Sequence, residues 1–326
     1  MKKNILALAV ASAIVAPVAM ADEGKKGPQV YGKFNIAVEM PTDQGQQVNH
    51  RASRFGVKGS EDLGDGVKAI YKAEGEIDDA GNFGFGRDTW FGFEAGFGQV
   101  RLGRHDTPLK INQVKDQFND SYYGDNRRFN GQIGANKRSG EVRDNDAVMY
   151  MSPDFGGIKL MAGLYSQNAA TAEDSALTNT TSLALVYGSN KKGVYAAVSM
   201  NALDSNSGDG TETRVAVQYA EGALIAGVQY DMASFEKTDT TNINGSTISA
   251  NVGYKMGNLM PKVKFASIAY DTATNDETST SMGVGVDYKL AKSATLYAEY
   301  VTLDDKNTAA GGDTLSVVSV GASYKF

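Results

Sequence analysis

The chain has 326 residues, with 32 Lys or Arg against 38 Asp or Glu and a formal charge of −6, an acidic balance that argues against a nucleic-acid partner. It has no cysteine, so disulfides and thiolate metal ligands are excluded and packing and hydrogen bonding must hold the fold. Its 37 glycines and six prolines favour many tight turns over long helices, because glycine weakens helix interiors.

Residues 1–21 read as a secretory signal. Met1-Lys2-Lys3 is a short positive region, Ile5 to Val18 an apolar stretch, and Ala19-Met20-Ala21 a small-residue cleavage pattern, followed at once by polar Asp22, Glu23, Gly24 and Lys25. Cleavage after Ala21 removes Lys2 and Lys3 and leaves 30 basic against 38 acidic side chains, a formal charge of −8. After residue 21 nothing approaches the roughly 18 consecutive apolar residues that a transmembrane helix requires. The mature chain, 22–326, is therefore expected to be either soluble or a single β-barrel domain.

From residue 29 onward the pattern alternates with period two. Val67, Ala69, Tyr71 and Ala73 oppose Lys68, Lys72 and Glu74; Val215, Val217 and Tyr219 oppose Arg214 and Gln218; Val318, Val320, Ala322, Tyr324 and Phe326 oppose Ser319, Gly321, Ser323 and Lys325. In chain order the segments are 29–38, 53–61, 67–78, 87–96, 99–107, 145–152, 157–167, 181–190, 194–204, 212–221, 223–236, 246–257, 260–272, 279–290, 293–305 and 314–326. About 16 strands, an even number, fit an all-β, closed antiparallel transmembrane barrel with both termini on one side. Connections alternate between short turns, such as Glu221-Gly222, and long polar loops, such as 39–52, 168–180, 237–245 and 304–313.

A soluble β-sandwich also alternates, but it buries its apolar face against a second sheet and should carry abundant charge on the other. Here the polar face is rich in Gly, Ser, Asn and Ala. Tyr230, Tyr254, Tyr288, Tyr300 and Tyr324 are expected near strand ends, as an interfacial aromatic girdle. A barrel of this size leaves an aqueous lumen. The long insertion 108–144, with Asn112 to Tyr123 a candidate short helix, is expected to fold inward and obstruct it.

The run Ser53-Arg54-Phe55-Gly56-Val57-Lys58-Gly59-Ser60-Glu61-Asp62-Leu63-Gly64-Asp65-Gly66 resembles the Gram-negative general porin family. So do Lys72-Ala73-Glu74-Gly75-Glu76, Phe97-Gly98-Gln99-Val100-Arg101-Leu102-Gly103-Arg104, Tyr150-Met151-Ser152-Pro153-Asp154-Phe155-Gly156-Gly157 and the terminal Tyr324-Lys325-Phe326. The resemblance implies a bacterial outer-membrane porin, a homotrimer among lipid and lipopolysaccharide that passes small hydrophilic solutes and ions passively, narrowed by its third loop. It implies that Phe326 is a recognition signal for the outer-membrane assembly machinery. It also places Arg54, Arg87 and Arg143 at the constriction, with Glu74 near them.

Parity puts Arg54, Lys58, Lys72 and Glu74 on the water side, whereas Arg87 shares parity with the outward Phe91 and Phe93 unless a bulge intervenes. Asp116, Asp120 and Asp125 on the inward loop are the proposed acidic partners. Each of these charges reads alternatively as merely solvated. A substrate-specific channel is the second reading, through Tyr122-Tyr123 with Arg127 and Arg128. An enzyme is disfavoured: His50 and His105 lie in no nucleophile or paired-carboxylate arrangement, and no metal site or cofactor motif stands out. The acidic loop Asp204 to Glu212 reads as solvated rather than as a divalent-cation site.

Overall fold

The computed structural model describes residues 27–42, 44–124, 142–166, 179–203, 209–237, 241–272, 278–304 and 314–326. Sixteen long strands follow one another: β1 (Gln29–Pro41), β2 (Ser53–Gly64), β3 (Val67–Ile77), β4 (Thr89–Ala95), β5 (Gly98–Asp106), β6 (Arg143–Met151), β7 (Ile158–Tyr165) and β8 (Thr180–Ser189). The second half comprises β9 (Lys192–Leu203), β10 (Asp209–Glu221), β11 (Leu224–Lys237), β12 (Thr241–Tyr254), β13 (Leu259–Thr272), β14 (Thr278–Lys289), β15 (Ala294–Asp304) and β16 (Thr314–Lys325). Each pairs antiparallel with the next, and β16 returns to β1 from Lys33↔Lys325 to Pro41↔Val317. Closure leaves no unpaired edge, which is the condition for a sheet to cross hydrocarbon.

Two short segments extend the hairpins. Gln47–His50 pairs with β1, and Phe83–Gly84 pairs with β3. The expected loop 39–52 is therefore partly strand, and His50 lies opposite Ile36.

Burial along the strands is inverted relative to a water-soluble protein. On β10, Val215, Val217 and Tyr219 are 39%, 50% and 45% exposed, while Arg214 and Gln218 are 0% and 1%. Val284 and Val318 are likewise exposed while Ser281 and Ser319 are buried. In water such a surface would be a continuous apolar liability; against lipid it is the stable arrangement.

The strands descending to the short-turn end carry an outward tyrosine close to that end: Tyr150 on β6, Tyr187 on β8, Tyr219 on β10, Tyr254 on β12, Tyr288 on β14 and Tyr324 on β16, all exposed. A ring of this kind keeps its hydroxyl in the wet headgroup layer and its ring in the acyl layer. On β2 and β4 the corresponding residues are Leu63 and Phe93. Tyr230 and Tyr300, expected at strand ends, instead sit in the middle of β11 and β15.

The expected helix over Asn112 to Tyr123 is not formed. A single helical turn, α1 (Pro108–Ile111), comes earlier. Thr107 caps it by accepting the Lys110 N–H at 3.2 Å, and Pro108 fits the first helical position because its missing N–H is not needed there. The turn stops at Asn112 because the following N–H groups find acceptors outside their own segment: Val114 donates to Gln229 Oε1 at 3.2 Å and Lys115 to Gln218 Oε1 at 2.7 Å.

Candidate functional site

The segment 107–124 runs along the polar face of the sheet. Leu109 N–H donates to Ser182 Oγ on β8 at 3.3 Å, and Asn119 Nδ2 donates to Asp287 on β14 and Glu299 on β15 at 3.0 and 2.9 Å. Asn35 on β1 donates to Asn119 O at 2.8 Å, and Lys33 pairs with Asp120 at 2.5 Å. Glutamines and asparagines at alternate strand positions thus satisfy backbone groups held away from bulk water. Val114 packs with Met149, Met161, Val186 and Tyr195, and Phe118 with Val301 and Val317.

Arg87, Lys72, Glu74 and Arg143 assemble into one cluster. Glu74 accepts from Arg87 Nε and, at 2.7 Å, from the Tyr31 hydroxyl, and lies 3.4 Å from Lys72 Nζ. Lys72 and Arg143 converge on Asp88 at 2.8 and 2.7 Å, and Arg143 also reaches Asp106 at 2.9 Å, which Lys110 meets at 3.1 Å. Arg87 attains this side without a bulge, because β4 begins only at Thr89 and the residue precedes the strand. Phe91 and Phe93 remain outward, while Gly92 is buried. The register shift in this region lies on β5, between Gly103 and His105.

Arg54 lies opposite Lys33 on β1 and opposite Glu76 on β3. No ion pair or hydrogen bond engages its guanidinium among the described residues, and the side chain is half-buried. Of the aspartates, Asp120 meets Lys33, whereas Asp116 accepts the N–H groups of Phe118 and Asp120 at 2.9 and 2.8 Å and so shapes its own turn. Asp125, Arg127 and Arg128 lie outside the described residues. Tyr122 and Tyr123 meet edge to face at 5.2 Å, with Tyr123 buried and Tyr122 exposed.

Two buried networks were not singled out from the sequence. Arg51 bridges Glu39 and Glu299 at 2.6 Å each, and Lys262 bridges Asp287 and Glu299 at 2.6 and 2.7 Å. Arg214 pairs with Asp231 and donates to Leu109 O at 3.1 Å, pinning α1. Their signal was parity: Lys262 and Lys264 alternate with Val263 and Phe265. Among the described residues no group of three His, Asp or Glu is placed to hold a metal ion.

Residues 7–308 match the family model described as Gram-negative porin. The major outer membrane protein P.IB of Neisseria lactamica is 27% identical over 351 residues, covering 100% of each chain, and that of Neisseria meningitidis serogroup A is 27% identical over 316 residues, covering 90% of each. Among solved structures, an anion-selective porin from Comamonas acidovorans superposes with a TM-score of 0.77 at 21% identity, covering 93% of this chain and 100% of that one. The trimer form of OmpT, an outer membrane protein of Vibrio cholerae, gives 0.72 at 19%, covering 92% and 99%.

Proposed function

The chain belongs to the Gram-negative porin family, and we propose that residues 108–144 set the width of its pore. It is an outer-membrane β-barrel whose water-filled lumen passes small hydrophilic solutes and ions by passive diffusion. The observation that carries the narrowing is the anchoring of 107–124 to polar side chains of β1, β8, β10, β11, β14 and β15, which draws the segment off the rim and along the wall. Arg54, Arg87, Arg143 and Lys72 form the basic side of that narrowing, and Glu74, Asp116, Asp120 and Asp125 are its acids. Opposed charges in a low-dielectric passage set ion preference through the local potential.

The reading extends to export and assembly. Residues 1–21 are a signal removed on export, and 22–326 form one barrel domain. The barrel is a homotrimer whose contact face is β1–β5, where Phe34, Phe55, Phe91 and Phe93 gather on the outer side. The rest of the wall meets lipid, with lipopolysaccharide as its outer-leaflet neighbour. Phe326 stacks on Phe34 and Tyr324 at 6.1 and 6.2 Å, a seam at which the assembly machinery would recognise the last strand.

Replacing Arg54, Arg87 and Arg143 with alanine should move the reversal potential in a salt gradient toward cation preference; an unchanged reversal potential contradicts the assignment. Saturable block by one solute during the same recordings would favour a substrate-specific channel over a general pore.

A further inference from the structure

We propose that Trp90 and Arg101, adjacent on the lumen face of β4 and β5, form a subsite for small carboxylates beside the cluster of Lys72, Glu74, Arg87 and Arg143. The proposal rests on the porin reading, since only a wet lumen brings solute to these residues. Trp90 and Arg101 occupy the positions between outward Phe91 and Leu102 and their neighbours, and both are partly exposed.

The Arg101 guanidinium lies 4.3 Å from the centroid of the Trp90 ring, a stacking that fixes its plane. Its other partners are neutral. Nε and Nη2 donate to Gln99 Oε1 at 3.2 and 2.5 Å, and Nη1 meets His105 Nε2 at 2.9 Å. An arginine only donates, so His105 Nε2 accepts and the ring proton sits on Nδ1, where it donates to Asp106 O at 2.8 Å. His105 is therefore neutral in this arrangement and contributes no charge.

Arg51, Arg87, Arg143 and Arg214 all engage carboxylates; Arg101 engages none among the described residues. The acids that reach it electrostatically are committed elsewhere, Asp88 to Lys72 and Arg143, Glu94 to Lys68 and Gln99. Three of its five N–H donors are used, which leaves two for an incoming oxyanion, and guanidinium geometry matches a planar carboxylate. Trp90 supplies an independent indication: its Nε1–H is buried without an acceptor among the described residues, an arrangement that costs free energy until an oxygen arrives.

Trp90 is the sole tryptophan of the chain, so its fluorescence reports this place alone. The refolded full-length porin in detergent is titrated with sodium acetate and, at matched ionic strength, sodium chloride. A saturable change in Trp90 emission with acetate and none with chloride is expected. Arg101→Lys keeps the charge but loses the fork and should raise the half-saturating acetate concentration by about tenfold. Gln99→Glu, which gives Arg101 a carboxylate of its own, should abolish the response. Superimposed acetate and chloride curves, or an acetate response unchanged in both variants, would overturn the subsite. Bilayer conductance of the wild type is recorded in parallel: its absence would break the porin reading, whereas normal conductance with an indifferent Trp90 defeats the subsite alone.

Discussion

Val215→Arg and Thr211→Arg place the same charge on the same outward face of β10 at two depths. Val215 lies four residues from Tyr219, in the short-turn girdle, and four from exposed Thr211 near the other end of the strand. At about 3.4 Å per residue and a tilt of about 40°, each residue climbs about 2.6 Å, so four residues span about 10 Å. The apolar band is about 25 Å tall, which puts Val215 within about 3 Å of its middle and Thr211 near its outer boundary. Val215→Arg should therefore cost about 2–4 kcal/mol and Thr211→Arg about 0–1 kcal/mol. Guanidinium unfolding titrations of the barrel folded into lipid vesicles measure both. On a face bathed in water, an exposed valine would accept arginine within about 0.5 kcal/mol. Two variants of equal stability would refute the lipid-facing assignment.

Other outcomes follow from the buried networks and the phenylalanine face. Arg214→Met leaves Asp231 buried and unpaired and removes the donor to Leu109 O, so it should cost about 3–5 kcal/mol in the same titration and increase open-channel current noise. Arg214→Met combined with Asp231→Leu should recover most of that stability, and an equally damaged double variant would rule out the ion-pair explanation. Phe91→Arg should convert a detergent-resistant trimer to monomer on unheated gels, whereas Val215→Arg should leave the trimer intact. Equal behaviour of the two would place the subunit contact elsewhere.

The strands were legible because a wall between lipid and water demands strict alternation. Segments expected at 223–236 and 279–290 appear as Leu224–Lys237 and Thr278–Lys289. Long-range contacts were not legible. The N–H groups of Val114 and Lys115 bond to Gln229 and Gln218, more than a hundred residues away, and no local pattern encodes that competition with helix. Arg87 is ambiguous by parity because it lies two residues before β4 and is not bound by that strand's alternation. Met149, Met161, Val186 and Tyr195 face inward although apolar, since Val114 covers that part of the wall. The charge cluster of Lys72, Glu74, Arg87 and Arg143 was recognisable by resemblance, but its neutralisation by Asp88 and Asp106 required coordinates.

Planar-bilayer recording of the purified, refolded chain tests the water-filled lumen most directly. Stepwise, ohmic conductance increments that rise in proportion to bulk electrolyte conductivity are expected. A protein that stays soluble without detergent and adds no current steps to the bilayer would contradict the lumen and the transport role built on it.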